Sequence, residues 1–529
     1  MPKLRLSYDF EKFFPQNDAQ LDFYYDHRTR FETDNDFVLV AIKPKSGVFN
    51  PLFLTQLDSL TRQFKRVPNI ENSLSITNYR LPVLTPLGWN TVPAINIRDT
   101  AQLPLDSARL INDANVRGNL LSTDGTTATL FLRNDPSVSK KKSDALLHSL
   151  DSLIALQHFD EVHVAGKIHG QYHYIKKMGE ELLMFSLISV VLLSVFLFIT
   201  FRTGWGIWVP LLIVAVSMVW LLGFIALIGE EINMLCTILP TIIFVVGIAD
   251  SVHILEKFIH ELRHGHTKLQ ALVISYRHVG FATLLTALTN AVGFITLLIS
   301  NIEPIRKFGI FTSVGIMFAF ILTYLLLPAA LLFLPAPKVA ANKHSDTIWS
   351  RILPALFSWV MGNRKKILAA TLVLCLVSLA GAFRIKINNY LLEDWSDDDP
   401  QKMDYVFFET NFSGVRPFEM QIMVTDPAKN VLDSSVIRQV NLLQDYLVNH
   451  YGIGAVVSPV SLVKTLNRAA HAGDEQYYSI PSEAADWENI SEPLEKLSES
   501  GKASAFLSVD LQTARISGRI KDFGGYEFK

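Results

Sequence analysis

Six apolar runs close to the length of a bilayer crossing constrain this chain more than any other feature. A helix needs about 20 residues to cross the hydrocarbon core. Runs of that kind lie at 182–201, 207–228, 234–255, 281–300, 308–334 and 367–383. The first, Leu182 to Phe201, carries no charge, and the third is interrupted by a single acid, Asp250. The sixth is the shortest. Apolar residues make 49% of the 529 and charged residues 19%, the balance of a membrane protein with sizeable soluble parts. Lys and Arg number 48 against 50 Asp and Glu, so no basic field exists to hold nucleic acid. Cys236 and Cys375 both sit inside apolar runs, which excludes a disulfide-stapled scaffold and a Cys-based zinc module.

The runs divide the chain into a first soluble α+β region (1–180), a five-helix block (181–335), a polar linker (336–366), the sixth span (367–383) and a second soluble region (384–529). An even number of spans places both soluble regions on one side. Loop charge says which side. The loops after spans one, three and five carry eleven Lys and Arg: Arg202, then four from Lys257 to Arg277, then six from Lys338 to Lys366. The loops after spans two and four hold only Arg306 and Lys307, and the former reads GEEIN. The basic side is expected to be cytoplasmic and both soluble regions extracytoplasmic. The opening MPKLRLSYDF has neither the apolar core nor the cleavage pattern of a signal peptide, so an outward first region calls for a preceding helix.

Self-comparison supplies one. LRLSYDF at 4–10 resembles FRIKINN at 383–389, and Asp22, Phe23 and Tyr25 pair with Asp404, Tyr405 and Phe407. The amphipathic stretch Leu54, Gln56, Leu57, Leu60, Phe64 pairs with Ile437, Gln439, Val440, Leu443, Leu447, and TTATLFLR at 126–133 meets QTARISGR at 512–519. The second copy follows span six directly. By that arithmetic the chain is expected to be an internal fragment of a parent of roughly 750–780 residues with twelve spans. Within each copy strands and helices alternate. FVLVAI (37–42) reads as a strand, 51–66 as a helix, SLSITNY (73–79) as a strand, and ATLFLR (128–133), a helix near 140–157 and EVHVAG (161–166) follow. Two βαβ units in one small domain suggest a pair of ferredoxin-like halves.

Asp250 is the residue with the most chemical content. An acid at mid-membrane costs about 2.5–3.5 kcal/mol on insertion scales. Its nearest cytoplasmic charges, Glu256 and Lys257, lie about 9–10 Å along the helix, too far for so short a side chain to snorkel comfortably. Removal from water favours the neutral acid, so protonation can switch the charge and with it the helix packing. His253, three residues on, and Gly247, three before, share a helix face with it. The imidazole titrates near neutral pH, and a glycine lets a neighbouring helix approach. Thr283, Thr286, Asn290 and Gly293 form a polar stripe on the fourth span that could bond Asp250 or hold water. Pro240 is expected to free a carbonyl midway along the third span. The plainer alternatives are an interfacial acid satisfied by nearby hydroxyls, a boundary histidine, and a stripe that simply glues helices. His169 and His173 have the i,i+4 spacing of metal ligands, but no third ligand is in view, and His260, His264 and His266 read as a polar amphipathic helix. A single acid in GIAD does not make an intramembrane aspartyl protease, and no GxxxxGK[ST] loop exists to use ATP.

The motifs taken together resemble the RND superfamily, in particular its MMPL, Patched-like and "predicted exporter" branch. GQYHYIKKMGEELLMFSLISVVLLSVFLFITFR (170–202) is similar to the approach to that family's second helix and VVGIADSVHILEKFIHELRHG (245–265) to its fourth-helix signature. ATLLTALTNAVGF (282–294) and IEPIRKFGIFTSVGIMFAF…LLLPAALLF (302–333) resemble its fifth and sixth helices, and GAVVSPVSLVKTLNRA (454–469) its second outward domain. The five-helix block also corresponds to what related proteins call a sterol-sensing domain, a label for a helix arrangement that does not by itself imply a bound sterol. The resemblance implies a polytopic α-helical membrane protein with two extracytoplasmic, porter-type, ferredoxin-like regions. It gives Asp250 the family's proton-carrying role, with His253 assisting and Ser251 supporting. The family's Gly-x-x-x-Asp-Tyr pattern appears here as Gly247-x-x-Asp250-Ser251, with Val246 at the more distant position, which leaves the partners of Asp250 open. The expected function is a proton-driven exporter of lipids or other hydrophobic molecules in the inner or plasma membrane. It is not an enzyme, has no cofactor or metal, and is compatible with a homo-oligomer. The alternatives are a non-transporting lipid or sterol sensor, or an accessory subunit completed by another chain.

Overall fold

The computed structural model describes residues 5–7, 10–31, 36–85, 88–136, 140–201, 204–334, 348–386, 388, 390, 393, 395–499 and 503–524. Much of the linker that sequence placed at 336–366, including Lys338 and Lys343, and the loop residue Arg202 lie outside the described residues. The chain divides into two compact units, residues 1–18 with 175–387, and residues 19–174 with 388–529. Both soluble regions therefore share one body.

In the soluble unit, helix α1 (Ala19–Arg30) precedes strand β2 (Phe37–Ile42), strand β1 (Arg5–Leu6) belonging to the other unit. The unbroken apolar run FVLVAI makes a strand buried on both faces, and every residue of β2 is buried. It pairs antiparallel with β6 (Ala128–Asn134) on one side and β7 (Val162–Gly166) on the other, and β3 (Ile70–Leu74) joins β6, giving the order β3-β6-β2-β7. The crossovers are α2 (Pro51–Phe64) and α4 (Lys140–Ala155). The two βαβ units thus interleave in one ferredoxin-like sheet and are not a pair of separate halves. Asn50 caps α2 by accepting from the Leu52 amide, and Pro51 opens the helix where no amide donor is missed. Its Leu54, Leu57, Leu60 and Phe64 fill the core beneath Val38, Val40 and Ile42. The strand expected at 73–79 lies earlier, because Ser75 to Asn78 form a side-chain-bonded turn. The Ser75 hydroxyl meets Thr61 and Thr77 at 2.9 and 2.8 Å, and Asn78 accepts from the Ser75 amide. A hairpin of β4 (Arg80–Thr85) and β5 (Gly88–Pro93) and helix α3 (Leu103–Asn112) are inserted before β6.

The second region repeats the first. After α11 (Pro400–Asn411) come β9 (Arg416–Met423), α12 (Ser434–Tyr451), β10 (Gly454–Val457), α13 (Pro459–Ala470), α14 (Ala484–Glu499) and β11 (Thr513–Ile520). Its sheet order β10-β11-β9 matches β3-β6-β2 element for element. The aligned sequence pairs fall on equivalent pieces: α1 with α11, α2 with α12, β6 with β11. The leading helices are exchanged. Phe408 and Phe412 of α11 pack on the second face of the first sheet, against Phe37, Leu39, Ala41 and Ala165. The α1 residue His27 reaches Glu419 and Gln421 on β9 of the second sheet.

Among the described residues six helices are long and apolar enough to cross a membrane: Lys167–Phe201, Gly204–Leu227, Met234–Arg263, Lys268–Ile299, Glu303–Phe333 and Ile352–Ala382. Each contains one of the six runs. α5 (Lys167–Phe201) starts directly after Gly166, whose φ of +134° and closeness to the Phe37 carbonyl leave no room for a Cβ. The packed core is α6 (Gly204–Leu227), α7 (Leu239–Arg263), α8 (Lys268–Ile295) and α9 (Glu303–Phe333), with α7 touching all three others. α10 (Ile348–Ala382) bends at Asn363, whose φ and ψ of −113° and 16° leave the helical region, and its described side chains are almost all exposed. β1 pairs in parallel with β8 (Glu231–Ile232).

Candidate functional site

The site is built on α7, the central helix of the membrane bundle. Its buried stripe runs through Ile243, Phe244, Gly247, Ile248, Asp250, Ser251, Ile254, Leu255 and Phe258. Asp250 is 3% exposed, and its Oδ2 has no hydrogen-bond partner among the described residues. In a low-dielectric bundle a carboxylate left without a partner is strongly disfavoured, whereas a protonated acid is tolerated. The structure therefore places in the bundle an acid whose Oδ2 no described donor meets.

Close packing around that acid comes from glycine. A Cβ on Gly247 would stand 2.9 Å from a Val214 methyl of α6 and 3.1 Å from the Ala319 Cβ of α9, so the residue admits both helices to α7. Ser251 donates to the Gly247 carbonyl at 3.1 Å and lies 3.5 Å from the Thr323 hydroxyl of α9. Next to Thr323, the Tyr324 hydroxyl donates to the Gly280 carbonyl at 2.9 Å and contacts the Thr283 hydroxyl of α8. Two hydroxyl groups of α9 thus lie on the helix that packs against α7 at Gly247 and Ser251.

Of the residues singled out in the sequence, Gly247, Asp250, Ser251 and Thr283 come together in this core. His253 does not join them, because the helix turn that buries Ile254 turns His253 outward, and it is exposed. Thr286 and Gly293 are exposed on α8 and Asn290 is half-buried, with the Thr286 hydroxyl spent on the Ala282 carbonyl of its own helix. Pro240 is not midway along a helix. It occupies the first turn of α7, after a 3₁₀ turn over Met234–Ile238, and the Cys236 carbonyl is taken by the Leu239 amide. Thr323 and Tyr324 were missed, although a Thr-Tyr pair inside MFAFILTYLLLP was a visible signal. The His169 and His173 rings meet at 4.6 Å, and among the described residues no group of three or more His, Cys, Asp or Glu is placed to hold a metal. His260 and His266 flank Glu261, which also pairs with Lys257 at 2.6 Å.

A buried lone acid on the central helix of a bundle, joined to two repeated ferredoxin-like regions, defines a class of polytopic membrane proteins. The sequence profile of the MMPL family matches residues 55–384, and the chain belongs to that family, within the RND superfamily. It is similar to the membrane protein MJ1562 of Methanocaldococcus jannaschii, with 23% identity over 327 residues, 60% of this chain and 82% of that protein. It is also similar to the multidrug resistance protein MdtC of Pectobacterium carotovorum, with 28% identity over 193 residues, 34% of this chain and 18% of that protein. A solved heavy metal efflux pump aligns with 61% of this chain and 40% of its own at a TM-score of 0.36 and 16% identity. The chain thus spans less than a fifth of MdtC and less than half of that pump.

Proposed function

We propose that this chain is the proton-carrying part of an MMPL-type secondary transporter that exports lipids or other hydrophobic molecules. The observation that carries the reading is Asp250, sealed in the bundle without a hydrogen-bond partner for Oδ2. Proton loss there would create a buried anion with no described donor at Oδ2, which favours a shift of α7 against its neighbours. That shift is the conformational step a gradient-driven machine needs. The loop charges support a soluble unit outside the inner or plasma membrane. A hydrophobic cargo follows from family resemblance and from soluble regions that a bilayer leaflet can feed. On this reading the protein is not an enzyme, and its partners are protons and the cargo. The multidrug resistance that gives MdtC its name supports export in general and no particular cargo.

The test uses the whole protein encoded by the gene, reconstituted in liposomes that enclose a pH-sensitive dye. Wild-type protein is expected to carry protons inward when a hydrophobic cargo is supplied, and Asp250→Asn to reduce that flux to the empty-liposome level while keeping the wild-type elution profile. Equal flux from Asp250→Asn and wild type overturns proton coupling through this residue. No cargo-dependent flux from either favours the sensor reading.

A further inference from the structure

The soluble unit contains a second buried charge that the transport reading does not use. Arg519, near the end of β11, is 6% exposed, and its Nη1 has no hydrogen-bond partner among the described residues. Its Nη2 donates to the Asn119 side-chain oxygen, a neutral acceptor. Arg519 lines a cavity of about 320 Å³ between the two repeated regions, a volume within the roughly 300–1,000 Å³ range of small-molecule sites. The apolar part of the wall is Phe37, Leu74, Leu120 and Phe131 from the first region with Pro417 and Val457 from the second.

The other charged groups of the wall already have opposite charges. Arg133 meets Glu71 at 3.1 Å, Arg515 pairs with Glu419 through two nitrogens, and Asp36 faces Arg28 and Lys167 at 3.7 and 3.8 Å. Arg519 has no acid within ion-pair distance among the described residues. Burial, with no compensating charge, pulls its pKa down to about 10, which still leaves the guanidinium charged at neutral pH. A cation buried without a counterion is costly, and a guanidinium fork is shaped for the two oxygens of a carboxylate or phosphate.

We propose that this cavity is an anion site, in which Arg519 takes the carboxylate or phosphate head of an amphiphile whose apolar body lies against Phe37, Phe131 and Leu74. As a statement about cargo it rests on the transport reading, but as a statement about binding it is tested without transport. The full chain in neutral maltoside micelles is titrated calorimetrically with octanoate, octyl phosphate and octyl glucoside. At least one anion is expected to bind, and which one identifies the head group. Arg519→Met should weaken that binding at least tenfold, and Asn119→Asp, which supplies an internal counterion, should do the same. Octyl glucoside should respond to neither substitution. Should Arg519→Met fail to fold, Asn119→Asp carries the test. Failure of both anions to bind the wild type, or binding that neither substitution weakens, overturns the proposal. Loss of proton flux in Asp250→Asn leaves it untouched.

Discussion

Asp250 and Arg519 present the same structural fact with opposite chemistry. Each is more than nine-tenths buried, and each has a side-chain atom without a hydrogen-bond partner among the described residues. The acid can shed its charge by taking a proton. The guanidinium cannot, since its pKa remains far above neutral. An unpaired buried acid is therefore complete with a proton, whereas an unpaired buried arginine needs an anion. Among the described residues the membrane unit thus holds an unpartnered acid and the soluble unit an unpartnered guanidinium nitrogen, two groups that call for different partners. Asp250→Asn, which fixes the neutral form, is expected to give the largest effect of any substitution here, complete loss of proton flux with little change in unfolding temperature.

The soluble unit also holds a paired counterpart to Arg519. Arg468 on α13 is buried against Asp113 at 3.0 Å and also reaches the half-exposed Glu475 at 2.7 Å. Asp113→Asn would remove its buried counterion and leave it only the half-exposed Glu475. The expected loss is about 3 kcal/mol, at the low end of the cost of breaking a buried pair because Glu475 remains, measured by urea unfolding of the full chain in micelles. No loss would mean that the half-exposed Glu475 alone is enough to balance Arg468.

A third test bears on the exchanged helices. His163 on β7 bonds Asp404 of α11 at 2.7 Å and Glu161 at 3.0 Å. Burial alone would lower its pKa, but those two carboxylates outweigh it and hold the pKa above the ordinary value. A raised folded pKa makes this contact fully stabilising below the unfolded value of about 6.5 and weakens it as pH rises through the folded value. Asp404→Asn should cost about 1.5–3 kcal/mol at pH 5.5, the range for hydrogen bonds to charged groups, and appreciably less at pH 8.5. Equal cost at both pH values would show that the imidazolium is not what holds α11 on the first sheet.

What the sequence disclosed follows from what is local or repeated in it. Hydropathy located all six spans, and the pairing of Leu54, Leu57, Leu60 and Phe64 with the residues of α12 located equivalent helices in the two regions. The exchange of α1 and α11 was not legible, because it depends on which sheet a helix meets and not on its own pattern. β11 illustrates the same limit. Thr513, Arg515, Ser517 and Arg519 alternate with Ala514, Ile516 and Gly518, which reads as a strand with one solvated face. Seven of its eight residues are buried because other elements cover that face. Within the membrane the third apolar run included a 3₁₀ turn as well as a helix, since apolar content does not distinguish them, and so Pro240 looked internal. The facing of His253 and of Tyr324 depends on helix rotation, which neighbours fix.

His253 supplies the smallest expected effect and the sharpest check on that rotation. Read along the helix, it sits one turn from Asp250, a spacing suited to passing it a proton. In the bundle Asp250 is buried while His253 is exposed. A relay needs a hydrogen-bond path, and none links these side chains among the described residues. His253→Gln should therefore leave proton flux within about twofold of wild type, less than the 1.4 kcal/mol that a tenfold change represents. The same assay that reads Asp250→Asn measures it. A loss as large as that of Asp250→Asn would place His253 on the proton path and require α7 to rotate during the cycle, so that the two residues face the same cavity in turn.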